Sequence, residues 1–447
     1  IGSDQKDAFE RHLSDNQPVV FVGPYEHHSN EISWRESLAT VVEVRAAADG
    51  GIDLAHLESL LQEPQYQGRK RIGSFSAASN VTGMLSPVHE IACLLHRYQA
   101  LAFFDFAASA PYVEIDMNPT DQGEDAGLDA IFISPHKFLG GPGSSGILVF
   151  NKRIYHTELP PSLAGGGTVD YVGLEGHDFI DDIEIREKAG TPGILQTLRA
   201  ALVFDVKSSL GVAQIEQRER ELTRLAMERW SAHPAIEILG NPDPDRRIGI
   251  ISFNIKDSSG RYLHPRFVTV LLNDLFGVQS RGGCSCAGPY GHRLLGIEKD
   301  KADAYRTWVH QGYQGIKPGW CRIGMHYVFD DEEALYLIAA VLFVADNGDR
   351  FLPNYDFDPH TGSWQHRQDE RTSMRLSLSD ALVNSGAEEG TCLVDSLRHQ
   401  IYQNQLAEAK TLADSLPAVV HETKLKQGLE GLRFFRLPEE SMQKLLK

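Results

Sequence analysis

The chain has 447 residues, 42% of them hydrophobic and 23% charged, with a formal net charge of -18. That length leaves room for two or three domains of ordinary globular composition. So large a negative charge, with no basic cluster to offset it, argues against nucleic acid and anionic membrane surfaces as partners.

The five cysteines, Cys93, Cys284, Cys286, Cys321 and Cys392, form no paired framework, which fits a reducing cytoplasm. No signal peptide is expected, and the longest apolar run, Leu335 to Ala345, is too short to span a bilayer. Asp4 to Leu13 reads as a helix interior, with Ala8, Phe9 and Leu13 at helical spacing. Since the chain begins at Ile1 rather than Met, the expectation is that an N-terminal piece is missing.

Pro18 to Val22 reads as a short apolar strand ending in a polar turn, Glu26-His27-His28-Ser29-Asn30. Turns after strands are where α/β proteins place ligand contacts. His27 suits stacking on an aromatic ring or moving protons; the alternative is a histidine satisfying loop backbone. Val41 to Val44 is a second strand and Asp53 to Leu61 an amphipathic helix. Arg71 to Ser76 is a strand leading to Asn80, whose alternative role is turn geometry with Gly83. Pro87 to His96 is the next helix. Ala100 to Phe104 is an apolar strand ending in Asp105. A carboxylate there is costly without a cation or donor, unless it caps the following turn.

The centre of the chain is Asp129 to Gly146, an apolar strand over Ala130 to Ile133 followed by Ser134-Pro-His136-Lys137 and a glycine-rich loop. A lysine at a strand end, walled by apolar residues beside His136, loses its proton more easily than a surface lysine. A neutral amine condenses with an aldehyde cofactor such as pyridoxal phosphate. The strand–helix alternation from Pro18 to Phe150 is the pattern of a mainly parallel sheet.

Gly165-Gly166-Gly167 and Asp178 to Glu187 read as a flexible, acidic connection. Thr191 before Pro192 reads as the N-cap of one long helix running from Ile194 to Trp230, and a hydroxyl at a helix start also suits a phosphate. Pro234 to Arg247 marks a boundary. Beyond it lie a strand over Gly249 to Ile255, a helix over Phe267 to Phe276, a strand over Gly319 to Ile323 carrying Arg322, and a helix over Asp331 to Ala345. The region after Asn347 is more polar, with helices expected at Gln400 to Leu412 and near the C-terminus.

Cys284-Ser285-Cys286 sits in a glycine-flanked loop after Arg281, and a nearby cation lowers a thiol pKa. A zinc set from Cys284, Cys286, Cys321 and a histidine lacks the usual spacing. Arg322 suits bidentate carboxylate binding; its alternative is an ion pair.

Taken together, Glu-His-His-Ser-Asn, Ser-Asn-Val-Thr-Gly, Phe-Asp-Phe-Ala-Ala-Ser-Ala-Pro, Ser-Pro-His-Lys, Ala-Gly-Thr-Pro and Arg-Gly-Gly-Cys-Ser-Cys-Ala-Gly-Pro resemble, in order, a class V aminotransferase-type pyridoxal phosphate enzyme. Within that class they resemble the cysteine desulfurase and selenocysteine lyase group, from the start of the chain to about Ala345.

The resemblance implies an α/β fold of type I, the aspartate aminotransferase-like fold of PLP-dependent transferases, with a smaller α+β C-terminal domain. The expected domains are 1–233, 234–346 and an extension over 347–447. It implies that Lys137 carries the cofactor as a Schiff base and moves the substrate α-proton. It implies that Ser134 and His136 hold the phosphate, that Asp105 pairs with the pyridine nitrogen and that His27 stacks on the ring. Asn80 would contact the substrate carboxylate or the ring oxygen, and Arg322 the carboxylate. Cys286 would take sulfur from L-cysteine as a persulfide, leaving L-alanine. Thr191 would reach the phosphate in the partner subunit of a homodimer, and a sulfur-acceptor protein is a further expected partner.

The sequence departs from the group in having Ala108 where Gln is usual and Pro135 where Gly is usual. The Cys286 to Arg322 connection is long, Cys284 adds a thiol, and the group's phosphate-cradling first segment is absent, so weak cofactor binding is expected unless the chain is extended. The alternatives are amino transfer, lysis or epimerisation with Cys286 incidental, or an inactive truncated homologue that serves as a binding partner.

Overall fold

The structure is a computed structural model of the chain. It describes residues 16–368 apart from 258, residues 395–417 and 424–437, and the isolated residues 5, 9 and 13. The helix expected over Asp4 to Leu13 falls almost entirely outside these residues, as do Cys392 and 438–447. Two compact units form, one of residues 1–220 with 245–248 and one of 221–244 with 249–447.

The first unit is built on six strands, β1 (Val19–Val22), β2 (Thr40–Glu43), β3 (Arg71–Ser76), β4 (Leu101–Asp105), β5 (Ala130–Ile133) and β6 (Ile147–Phe150). Their order is β2-β1-β3-β4-β5-β6, parallel except for the antiparallel β5–β6 pair. Apart from β3, Arg-Ile-Gly-Ser-Phe-Ser, the strands are short, largely apolar runs, the pattern of a parallel sheet covered on its faces. Phe21, Phe75 and Phe104 are fully buried.

Three helices connect these strands: α1 (His28–Arg35), α2 (Leu54–Gln62) and α3 (Val88–Arg97). Asp53 starts α2 by accepting from the His56 N–H at 2.9 Å. Helices α2 and α3 bury Leu57, Leu60 and Leu61, and Ile91, Leu94 and Leu95. The strand order reverses at β1, so loops leave the carboxyl ends of the strands on both sides of a switch point.

Three expectations are corrected in this unit. The acidic connection contains an antiparallel hairpin, β7 (Val169–Val172) with β8 (His177–Phe179), and a single helical turn, α4 (Ile183–Arg186), capped by Asp182. The long helix is two helices, α5 (Ile194–Leu210) and α6 (Val212–Ser231), because Gly211 turns to φ 84°. Thr191 is not the cap of α5. The first helical carbonyl is that of Gly193, which accepts the Thr197 N–H at 2.9 Å, so the helix starts two residues later.

The second unit carries β9 (Ile236–Ile238), β10 (Ile250–Ile255), β11 (Arg281–Gly283) and β12 (Trp320–Gly324), antiparallel in the order β11-β12-β10-β9. Helices α7 (Pro265–Phe276) and α10 (Asp331–Phe351) supply much of its core, with the short helices α8 (Gly288–Leu294) and α9 (Lys299–His310) between β11 and β12. His264 and Pro265 start α7, and Gly277 ends it in left-handed backbone at φ 66°. After Asn347 come a hairpin, β13 (Tyr355–Phe357) with β14 (Trp364–His366), and α11 (Asp395–Ser415). Tyr355, Trp364, Ala409, Ala413 and Phe435 join the same core as Trp230, Phe253 and Phe267. Among the described residues no helix is long and apolar enough to cross a membrane.

Candidate active site

In the first unit His27, Asn80, Asp105, Ser134, His136 and Lys137 line one cavity of about 1680 Å³. They reach it because β1, β3, β4 and β5 end at one edge of the sheet and each residue lies at or just past such an end. Thr191 is exposed and outside this lining, although Pro192 and Gly193 belong to it.

His27 caps α1, its Nδ1 accepting the Ser29 N–H at 3.1 Å. A neutral ring held this way carries its proton on Nε2. Asp105 closes β4, and its carboxylate accepts the Ala107 N–H at 2.8 Å. Burial pushes Asp105 above the ordinary carboxylate range, against the Ala107 hydrogen bond and the nearby Lys137 and His27. A half-buried carboxylate of this kind calls for a cationic donor, and a protonated ring nitrogen is one.

Lys137 ends a one-turn 3-10 helix, Pro135–Lys137. It is exposed, which corrects the expectation of an apolar-walled amine. The turn faces Lys137 outward and buries the next residue instead, Phe138, whose ring lies 4.9 Å from that of Phe204 on α5. In the loop beyond, Gly141 is required by close approach, since a Cβ there would collide with the Pro135 carbonyl oxygen, while Gly140 and Gly143 adopt positive φ of 78° and 87°.

Two buried groups were not singled out from the sequence. Glu26 accepts from Gly23 N at 3.1 Å, Ser76 N at 2.9 Å, Ser76 Oγ at 2.6 Å and Asn30 Nδ2 at 2.7 Å. It ties the loop bearing His27 to the end of β3. Burial raises its pKa to about 7, with the hydrogen bonds from Ser76 and Asn30 opposing the shift and the Asp105 charge adding to it. The signal was available, because Glu26 also follows a buried strand, but the adjacent histidine pair drew the reading. The other group is Lys207, buried on α5, whose Nζ donates to the carbonyls of Ala110 and Val113. Burial lowers its pKa to about 8. It anchors α5 to the segment after Asp105 and lies outside the cavity lining.

In the second unit Arg281 and Arg322 are direct partners across the β11–β12 pair. Like charges set opposite one another are unfavourable, and an anion such as a carboxylate offsets that. After β11 the chain turns over Cys284 to Ala287, closed by the Ala287 N–H on the Cys284 carbonyl at 3.2 Å. Ser285 and Cys286 sit in left-handed backbone at φ 52° and 59°. Such backbone costs roughly 1–2 kcal/mol per non-glycine residue. Arg281 Nη2 lies 3.7 Å from Cys286 Sγ. Cys321 contrasts with this loop: it is 1% exposed, and burial pushes its thiol up to about 11.

Comparison with known proteins identifies the family and the fold. The family model described as Aminotransferase class-V matches residues 7–337. A probable cysteine desulfurase of Halalkalibacterium halodurans is 31% identical over 274 residues, 60% of this chain and 62% of that protein. A cysteine desulfurase of Haloferax volcanii is 30% identical over 282 residues, 62% of this chain and 61% of that protein. These matches thus span about three fifths of the relatives' own lengths. The solved cysteine desulfurase of Thermococcus onnurineus superposes with a TM-score of 0.59 at 23% identity, covering 75% of each chain. The fold is the type I fold of such enzymes, a mixed α/β architecture with a mainly parallel central sheet. With its family's model matched over well more than half its length, the chain belongs to the class V aminotransferase family.

Proposed function

We propose that the chain is a pyridoxal phosphate-dependent cysteine desulfurase that converts L-cysteine to L-alanine and takes the sulfur onto Cys286. The observation that carries this reading is the gathering of Lys137 and Asp105, with His27, Asn80, Ser134 and His136, around one cavity at the carboxyl edge of the sheet. This donor set fits the cofactor: an amine for the aldehyde, a half-buried carboxylate for the ring nitrogen, an imidazole for the ring face, and hydroxyl and imidazole groups for the phosphate. When bound, the cofactor supplies an electron sink for the bond broken at the substrate α-carbon.

Lys137 holds the cofactor and then moves the α-proton. Asp105 keeps its negative charge against the ring nitrogen. His27, locked by Ser29, presents its ring and its Nε2 proton. Arg322 and Asn80 orient the substrate carboxylate. The Cys286 thiolate attacks the substrate sulfur, so the carbon–sulfur bond breaks, alanine leaves and a persulfide stays on the chain.

We place the activity in a homodimer in the cytoplasm, with Thr191 reaching the phosphate held by the partner subunit and an acceptor protein receiving the sulfur. An exposed apolar stripe along α5, Leu195, Leu198, Leu202 and Val206, supports burial against a second copy. A second reading, amino transfer or another reaction on an amino acid, is favoured by Ala108, which lines the cavity with a methyl group where desulfurases carry an amide. The test is release of alanine and sulfide from L-cysteine, with cofactor and a reductant, by wild type and Cys286→Ser. Release by wild type alone is expected. No release by a cofactor-loaded wild type would transfer the assignment to other amino acids with keto-acid acceptors.

A further inference from the structure

The proposed reaction uses one thiol of the cysteine turn and leaves the other, Cys284, without a task. The two thiols flank a single residue in a closed turn. An extended chain separates the Cα atoms of such neighbours by about 7 Å, whereas a disulfide needs roughly 4.4–6.8 Å. The Ala287 to Cys284 hydrogen bond and the left-handed backbone at Ser285 and Cys286 shorten that separation. Ser285 is the buried member, 3% exposed, while Cys284 and Cys286 are both half-buried. Arg281, in contact with Cys286 Sγ, supplies a positive charge beside any sulfur anion formed there. The third described cysteine of the unit, Cys321, is buried and cannot take this role.

We propose that Cys284 is a resolving thiol that ejects the sulfur from Cys286 as hydrosulfide, an inference that rests on the desulfurase reading. The Cys284 thiolate attacks the Cys286 sulfur of the persulfide. A Cys284–Cys286 bond forms, the sulfur–sulfur bond of the persulfide breaks, and its electron pair leaves on the terminal sulfur. Cys284 is oxidised and the terminal sulfur is reduced, so no outside oxidant is needed. The proton of Cys284 goes to solvent, and a dithiol reductant reopens the disulfide for the next turnover. The chain would then release free sulfide wherever no acceptor reaches the persulfide first.

The experiment adds one equivalent of L-cysteine per chain to the cofactor-loaded protein without reductant. Free thiols are then alkylated, the tryptic peptide from Gly282 to Arg293 is weighed, and alanine and sulfide are measured. Wild type is expected to yield sulfide with alanine and a peptide that has lost two hydrogens. Cys284→Ser is expected to lose most of that sulfide and keep the extra sulfur atom on Cys286. A wild-type persulfide on Cys286 beside an alkylated Cys284 would overturn the proposal and leave the desulfurase reading standing. So would a disulfide that forms equally without L-cysteine. Absence of alanine from both proteins would remove the desulfurase reading and this inference with it.

Discussion

In the first unit His27, Asn80, Asp105 and Lys137 lie at or just past the ends of four separate strands and share a cavity because those strands end at one sheet edge. In the second unit Arg281, Cys284 and Cys286 are already neighbours in the chain, and a closed turn with left-handed backbone aims them. The first arrangement depends on long-range strand pairing and on a buried polar network. The second depends on a few local dihedral angles and one cross-strand neighbour, Arg322. A site spread over a sheet edge is rigid and suits holding a cofactor. A site on one turn can change its local geometry without disturbing the core beneath it.

The largest effect is expected at the sheet edge. Under the proposed roles, in which Lys137 is both the amine and the proton carrier, Lys137→Ala should lower alanine release by about 10³-fold or more. Steady-state alanine measurements check this, and activity within tenfold of wild type would break the assignment. Asp105→Asn should cost about 10²-fold in kcat by removing the charge that the proposed mechanism sets against the ring nitrogen. The absorbance of the bound cofactor reads the same change independently.

Glu26 tests the network beneath the edge. Its pKa is raised from 4.5 to about 7 in the folded chain, so its contribution to stability is complete below pH 4.5 and is lost as pH rises through about 7. The difference amounts to about 3 kcal/mol. Urea unfolding of wild type should therefore show a decline in stability over that window, and Glu26→Gln should flatten it. An unchanged slope in the variant would mean that Glu26 stays ionised. The smallest effect is expected at Cys321, where Cys321→Ala should cost about 1 kcal/mol of stability through lost packing. Sulfur loading of Cys286 should be unaffected, as followed by peptide mass, and a loss of loading would blur the contrast between the two cysteines.

Much of the first unit was legible because β1, β4 and β5 are apolar runs ending in polar residues or turns, while β3, Arg-Ile-Gly-Ser-Phe-Ser, was marked by the turn that follows it. The cavity residues were legible because functional groups follow those runs. The β7–β8 hairpin was not, since Tyr171 and Val172 are exposed and strand pairing rather than burial defines it. The break at Gly211 was hidden by helical periodicity that continues on both sides of one glycine. Thr191 carried a valid cap signal beside Pro192, but Gly193 supplied the first helical carbonyl.

By itself the sequence determined the parallel sheet, the order of the site motifs and the chemical types at each strand end, because apolar periodicity and turn residues are local properties. Only the tertiary structure decided that six of these residues share one cavity and that Glu26 is buried under them at a raised pKa. The same holds for the burial of Lys207 and Cys321 while Lys137 and Cys286 stay accessible. Burial and electrostatic environment depend on which distant segments pack together, and no local pattern in the chain encodes that.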